Sequence, residues 1–266
     1  MSTPKPQELR ELEHLLKMAE GCARVRAEAA AVTPAGSYPV YSLVMGSERA
    51  DAPVAGFFGG IHGLERIGAQ VVLAFLRSLL ERYRWDDVLR SQLETVRLVF
   101  MPVVNPGGLW QNTRSNVRGV DLMRNAPVDA VEKVPWLAGG QRFSRYVAWY
   151  RGRISDEMEP EAAALCGVVE REMLGTSFSL GLDCHSGFGS RDRLWFPFAY
   201  TREPVAKIAE IHAFRQLFDD AYPHHDYLFE PQSHHYLTHG DIWDYLTLQA
   251  QTHEKNIFLP LTLEMG

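Results

Sequence analysis

Gly59-Gly60-Ile61-His62-Gly63-Leu64-Glu65-Arg66-Ile67-Gly68 is the stretch whose reading decides the fold. It stands where an apolar run that reads as a strand, Pro53–Gly60, hands over to one that reads as a helix, Leu64 to about Arg82. A strand ending in glycines before a helix exposes backbone and side chains at one edge of a sheet. His62 and Glu65, three residues apart at that junction, can converge on one metal ion.

Working outward, the same pattern recurs. Val96–Val104 is a strongly apolar strand that stops at Asn105-Pro106-Gly107-Gly108. Phe178–Asp183 reads as a buried strand ending in Cys184-His185-Ser186-Gly187, so His185 reaches the same carboxyl edge of the sheet. Ile257–Leu263 reads as a last strand, closed by Glu264. Further strands are expected at Tyr38–Met45, Leu194–Tyr200 and Tyr227–Glu230. Helices are expected at Glu157–Leu174, Glu203–Phe218 and Asp241–His253. Strands alternating with helices specify an α/β domain, with a mixed, mostly parallel sheet flanked by helices. Leu9, Leu12, Leu15, Leu16, Ala19 and Cys22 recur at helical spacing, so Pro6 to about Ala31 is expected to be an amphipathic helix. Residues 1–37 then pack on a main domain spanning 38–266. Residues 105–140 have little periodicity, and so long a loop in a compact domain is usually functional.

The composition, 46% hydrophobic and 23% charged, is that of a soluble globular protein. A formal net charge of −6 offers no basic footprint for nucleic acid. Three widely spaced cysteines imply no disulfide framework. The polar N-terminus lacks the apolar core of a signal peptide, and no run reaches the roughly 20 apolar residues needed to span a membrane. A cytoplasmic enzyme or binding protein is the expectation, with no membrane partner. Oligomeric state is not legible.

Two His and one Glu form a standard catalytic zinc set, leaving one position open. A lone His-x-x-Glu is more often chance than chemistry, and a lone strand-end His more often a cap. Glu264 closes an apolar run, where a carboxylate beside a metal site can act as general base; its bland reading is a solvated strand end.

The joint order of several motifs resembles the carboxypeptidase A-like zinc metallopeptidases over roughly Pro53–Glu264. His62 and Glu65 match the family's His-x-x-Glu, and His185, 120 positions beyond Glu65, stands near its third ligand. Asn105-Pro106 matches its strand-end motif, and Gly119–Asn125 its Gly-Val-Asp-x-Asn-Arg-Asn. Tyr236, Gly240 and Asp244 match its Tyr-x-x-x-Gly-x-x-x-Asp. Leu261–Gly266 matches the segment of its catalytic glutamate. The resemblance implies one Zn²⁺ per chain on His62, Glu65 and His185, with Asp121 orienting His62. It implies Glu264 as base, Arg114 as oxyanion stabiliser, and Arg124, Asn125 and Tyr236 as substrate-binding residues.

The implied reaction is metallocarboxypeptidase-like hydrolysis of a C-terminal amide bond. Met123 stands where the family usually has an Asn, and Leu64 where digestive members carry an Arg. Asp183-Cys184-His185-Ser186 is similar to the Asp-x-His-Ser/Thr motif of the related aspartoacylase and succinylglutamate desuccinylase branch, so N-acyl amino acid deacylation is the alternative. An inactive metal- or ligand-binding relative is a third reading. The chain ends two residues after Glu264, where family members usually continue with a helix. Six of the ten histidines lie in His212–His239, which allows a second metal site on His234, His235 and His239. Adjacent histidines on an extended segment point to opposite faces, which favours a polar lining near the cleft instead.

Overall fold

The computed structural model describes residues 4–155, 157–253 and 256–266. In chain order the elements are α1 (Gln7–Met18), β1 (Arg24–Thr33), β2 (Gly36–Gly46), β3 (Val54–Gly59), α2 (Arg66–Tyr83), α3 (Asp87–Leu93), β4 (Arg97–Met101) and α4 (Pro106–Gln111). They continue as α5 (Pro160–Glu172), β5 (Phe178–Ser186), β6 (Arg193–Phe196), α6 (Ile208–Ala221), β7 (Leu228–Pro231), α7 (Ile242–Ala250) and β8 (Ile257–Met265).

The strands form one sheet in the order β1-β2-β4-β3-β5-β8-β6-β7. Its centre, β4-β3-β5-β8, is parallel; β1, β2 and β6 join antiparallel to a neighbour. Parallel central strands are covered on both faces, which is why Val54–Gly59 and Arg97–Met101 read as nearly continuous apolar runs. On one face Leu12, Leu15, Leu73, Leu76, Leu89 and Phe100 join α1, α2 and α3 to the sheet. On the other, Phe58, Val99, Leu165, Val169, Trp243 and Leu246 join α5 and α7 to it. Among the described residues no helix is long and apolar enough to cross a membrane.

The glycines of the opening stretch are dictated by close approach. A Cβ on Gly63 would lie 2.0 Å from the Gly108 carbonyl carbon, and one on Gly68 2.0 Å from the Cys184 oxygen. Gly68 thus lets the first turn of α2 sit directly on β5, one residue from His185.

The structure departs from the sequence expectations in four places. The helix expected over Pro6–Ala31 stops at Met18, and Arg24–Thr33 is a strand in the main sheet. Its alanines suit a helix, yet pairing with β2 around a tight turn, with a bulge between Ala27 and Ala29, holds them extended. The bulged Glu28 bonds Ser42 and Arg171, which settles the register. The described part of residues 1–37 is therefore more than an external helix. β4 ends at Met101, short of the expected Val104, and Asn105-Pro106-Gly-Gly opens α4, with Asn105 capping Gly108 N and proline in the first turn. Helix α3, capped by Asp86, has no counterpart among the sequence expectations. The last strand runs on through Glu264 to Met265.

Candidate metal centre

Three strand ends supply the site. β3 ends at Gly59, and Asn105 fixes the turn beyond it: its Nδ2 donates to Ile61 O at 3.1 Å and its backbone N to Gly60 O at 2.9 Å. That turn aims His62 inward, and a further turn, Glu65 N to His62 O at 3.1 Å, brings Glu65 beside it. His185 comes from β5, the next strand across.

His62 Nδ1 lies 2.8 Å from Glu65 Oε1, and His185 Nδ1 lies 3.0 Å from Glu65 Oε2 and 3.2 Å from His62 Nδ1. All three residues are buried. Each imidazole is held by its other nitrogen: His62 Nε2 is 3.1 Å from Asp121 Oδ1, and His185 Nε2 is 2.6 Å from Asp183 Oδ2. Protons on both Nε2 atoms leave two Nδ1 lone pairs and a carboxylate facing one point. Three acceptors in contact call for a cation, and an N, N, O donor set with carboxylate-backed imidazoles fits Zn²⁺. The local charge agrees. Glu65, Asp121, Asp183 and Glu264 surround the point, and Arg114 is the guanidinium bonded into it.

Burial would raise Glu65, but the His62 and His185 imidazoles overcome it and hold the carboxylate well below its ordinary range. With no metal bound, burial opposes a charged His185, and Asp183 and Glu65 outweigh it, raising its pKa well above the usual value, so a cation at this point would displace the Nδ1 proton. Asp121, also buried, is kept low by Arg114 and His62. Burial pushes the Glu264 carboxyl up, with Glu65 adding and His185 opposing.

The residues singled out from sequence fall into two groups. His62, Glu65, His185, Asp121, Arg114 and Glu264 come together. Arg114 Nε donates to Asp121 Oδ2 at 2.8 Å and its Nη1 to Glu65 Oε1 at 3.1 Å. Glu264 is in register with His185 across the β5–β8 pair. The Tyr236 phenol lies close enough to contribute to the field at Arg114. Its ring is 6.1 Å from that of Phe188 and 6.4 Å from that of Trp195.

Arg124 and Asn125 are engaged with the chain itself. Arg124 is 3% exposed and donates from Nε to Ala138 O and from Nη1 to Met123 O, at 3.3 and 3.2 Å. Asn125 Nδ2 donates to Arg151 O at 3.1 Å, and its Oδ1 accepts from Glu159 N at 2.6 Å. Among the described residues only His62, Glu65 and His185 form a metal-ligand cluster. His235 Nε2 instead bonds Glu230 at 2.7 Å, and His239 Nδ1 accepts from Ala130 N at 2.9 Å.

Asp183 had no role assigned from sequence, and Trp243, whose Nε1 donates to Asp183 Oδ2 at 2.8 Å, had none either. The signal for Asp183 was present: residues i and i+2 of a strand share a face, so a carboxylate two before a ligand histidine can reach its ring.

Residues 24–265 match the zinc carboxypeptidase family. The chain is 28% identical to human carboxypeptidase A6 over 177 residues, covering 61% of this chain and 36% of that protein. It is 29% identical to mouse carboxypeptidase M over 106 residues, covering 35% of this chain and 24% of that one. It therefore spans well under half the length of these relatives. Among solved structures, it superposes on thrombin-activatable fibrinolysis inhibitor with a TM-score of 0.72 at 21% identity, covering 96% of this chain and 65% of that one. Carboxypeptidase A of Helicoverpa armigera gives 0.69 at 20% identity, covering 95% and 62%. A match over nearly the whole chain, on a fold with this His-Glu-His site at its strand ends, shows that the protein belongs to the zinc carboxypeptidase family.

Proposed function

We propose that this protein is a zinc-dependent hydrolase that cleaves a C-terminal peptide bond. The observation that carries the reading is the convergence of His62 Nδ1, Glu65 and His185 Nδ1 with Glu264 one strand away. One Zn²⁺ held by those three residues would supply a Lewis acid for the scissile carbonyl and acidify the attacking water. Glu264 takes the proton of that water and delivers it to the leaving amine nitrogen. Its raised pKa suits a group that must both accept and return a proton. Arg114, fixed by Asp121 and Glu65, faces the oxyanion that develops on the carbonyl oxygen. Tyr236 closes the rim beside it. Asp121 and Asp183 hold the ligand imidazoles in one tautomer.

The same groups would cleave an N-acyl amino acid, and the Asp183–His185 contact favours keeping that second reading. A pure binding role has no use for Glu264. Three unpaired cysteines, Cys22, Cys166 and Cys184, support the cytoplasm as its compartment. The test is a hydrolysis screen of peptides with free C-termini, amidated peptides and N-acyl amino acids. Turnover abolished by a chelator and restored by zinc is expected. A zinc-loaded protein inert on all three classes would overturn the reading.

A further inference from the structure

Building on that hydrolase reading, we propose that Arg193 on β6, and not Arg124, is the side chain that grips the carboxylate of the substrate. Arg193 is the register partner of Glu264 across the antiparallel β6–β8 pair, and Glu264 is the partner of His185. Residues opposite one another on neighbouring strands project from the same face. A metal ligand, the general base and Arg193 therefore form one row across three strands. A substrate whose scissile bond lies at the first two extends naturally onto the third.

The environment of Arg193 is that of a binding wall. Its side chain is 16% exposed, and its guanidinium lies 5.6 Å from the centre of the Phe188 ring. Phe188 in turn packs on Trp195, His235 and Tyr236, the residue at the rim of the site. Arg193 Nη1 donates to Glu230 Oε1 at 3.1 Å, and the same oxygen also takes bonds from Trp195 and His235. One carboxylate oxygen thus serves three donors. The buried Nε of Arg193 has no hydrogen-bond partner among the described residues. Gly189 lies alongside, where a Cβ would stand 3.6 Å from Nη2, an ordinary van der Waals contact. An aromatic slot with an under-bonded guanidinium suits a carboxylate, which the planar fork can hold through two bonds.

Arg124 offers the opposite. Besides its two backbone acceptors, its charge faces the buried Asp121 carboxylate, which is held low, with Asp241 and Asp244 nearby, both pushed up by burial. Buried and bonded to the chain itself, its guanidinium offers little to a ligand.

The carboxylate can be the substrate's C-terminus or an acidic side chain, and peptides that end in Glu or Gln, each as free acid and as amide, separate the two. Binding of these four to zinc-loaded Glu264→Gln protein is measured by calorimetry, alone and combined with Arg193→Met, Arg193→Lys or Arg124→Met. Hydrolysis by the wild type is followed in parallel. Arg193→Met should weaken the preferred acid by about 10- to 100-fold, to the level of its neutral counterpart. Arg193→Lys should recover part of the preference, and Arg124→Met, checked for folding by thermal melt, should keep it. Absence of wild-type hydrolysis with carboxylate-selective binding lost in Arg193→Met refutes the enzyme reading and sustains this one. An unchanged preference in Arg193→Met, or equal binding of all four peptides, overturns it. If Arg193 and Glu230 were only a structural pair, the melt would shift and the preference would not.

Discussion

Asp183 and His185, two residues apart on β5, are joined by a 2.6 Å contact between Oδ2 and Nε2, and the same carboxylate oxygen takes the Trp243 N–H at 2.8 Å. The indole holds the carboxylate, the carboxylate holds the imidazole, and the imidazole turns Nδ1 to the metal point. Asp183 is fully buried, and these two contacts are what fix its Oδ2. Asp183→Asn should weaken zinc binding about 10- to 100-fold, read by chelator competition. Trp243→Phe should weaken it less. Unchanged affinity in both would show that β5 alone orients His185.

Glu264 contributes no ligand atom to the His62–Glu65–His185 cluster. Glu264→Gln should retain stoichiometric zinc by elemental analysis while kcat falls by about 10²–10⁴-fold. Loss of zinc in this variant would move Glu264 into the ligand set.

Arg114→Met should lower kcat by about 10²–10³-fold at saturating zinc. It should also weaken zinc, because Asp121, which orients His62, loses the Nε donor at 2.8 Å. Titrating zinc before each rate measurement separates the two effects. A variant that recovers full kcat once zinc is saturating would confine Arg114 to the second effect.

Phe58 is fully buried, 5.1 Å ring to ring from Trp243. Phe58→Ala should cost about 3–5 kcal/mol in urea unfolding. It should also loosen zinc by freeing Trp243. Phe100→Ala, equally buried on the other face of the sheet, should cost similar stability with a smaller effect on zinc.

Glu161 is buried beside Glu159, and both accept from Asn116 Nδ2. Burial, with Glu159 adding, raises its pKa in the fold. The unfolded chain therefore ionises first as pH rises past about 4.3, so this group lowers stability increasingly from there up through its folded pKa. Glu161→Gln keeps the acceptor and removes the charge. Its Tm should exceed that of the wild type at pH 7 and equal it near pH 3; a higher Tm at pH 3 alone would reverse the sign.

The central architecture and the metal ligands were legible in the sequence for a local reason. Parallel strands are buried on both faces, so β3, β4, β5 and β8 read as apolar runs. β3 and β4 end shortly before His62 and Asn105-Pro106, while β5 and β8 carry His185 and Glu264 in their last residues. Strand order made one shared edge plausible, and the resemblance to a family's motif order singled out His62, Glu65, His185 and Glu264 along it. Other features depend on pairings between distant residues. The alanines of Arg24–Thr33 are helix formers that only β2 holds extended. Arg124 and Asn125 sit in the expected motif, yet loops from residues 138, 151 and 159 take up their polar atoms. Arg193 comes beside Glu264 only through the register of β6 on β8, and Trp243 reaches Asp183 across 60 residues. Hydrophobic period and strand termination are properties of neighbours along the chain. The use of a polar side chain depends on which remote groups satisfy it first, and that is decided by tertiary packing.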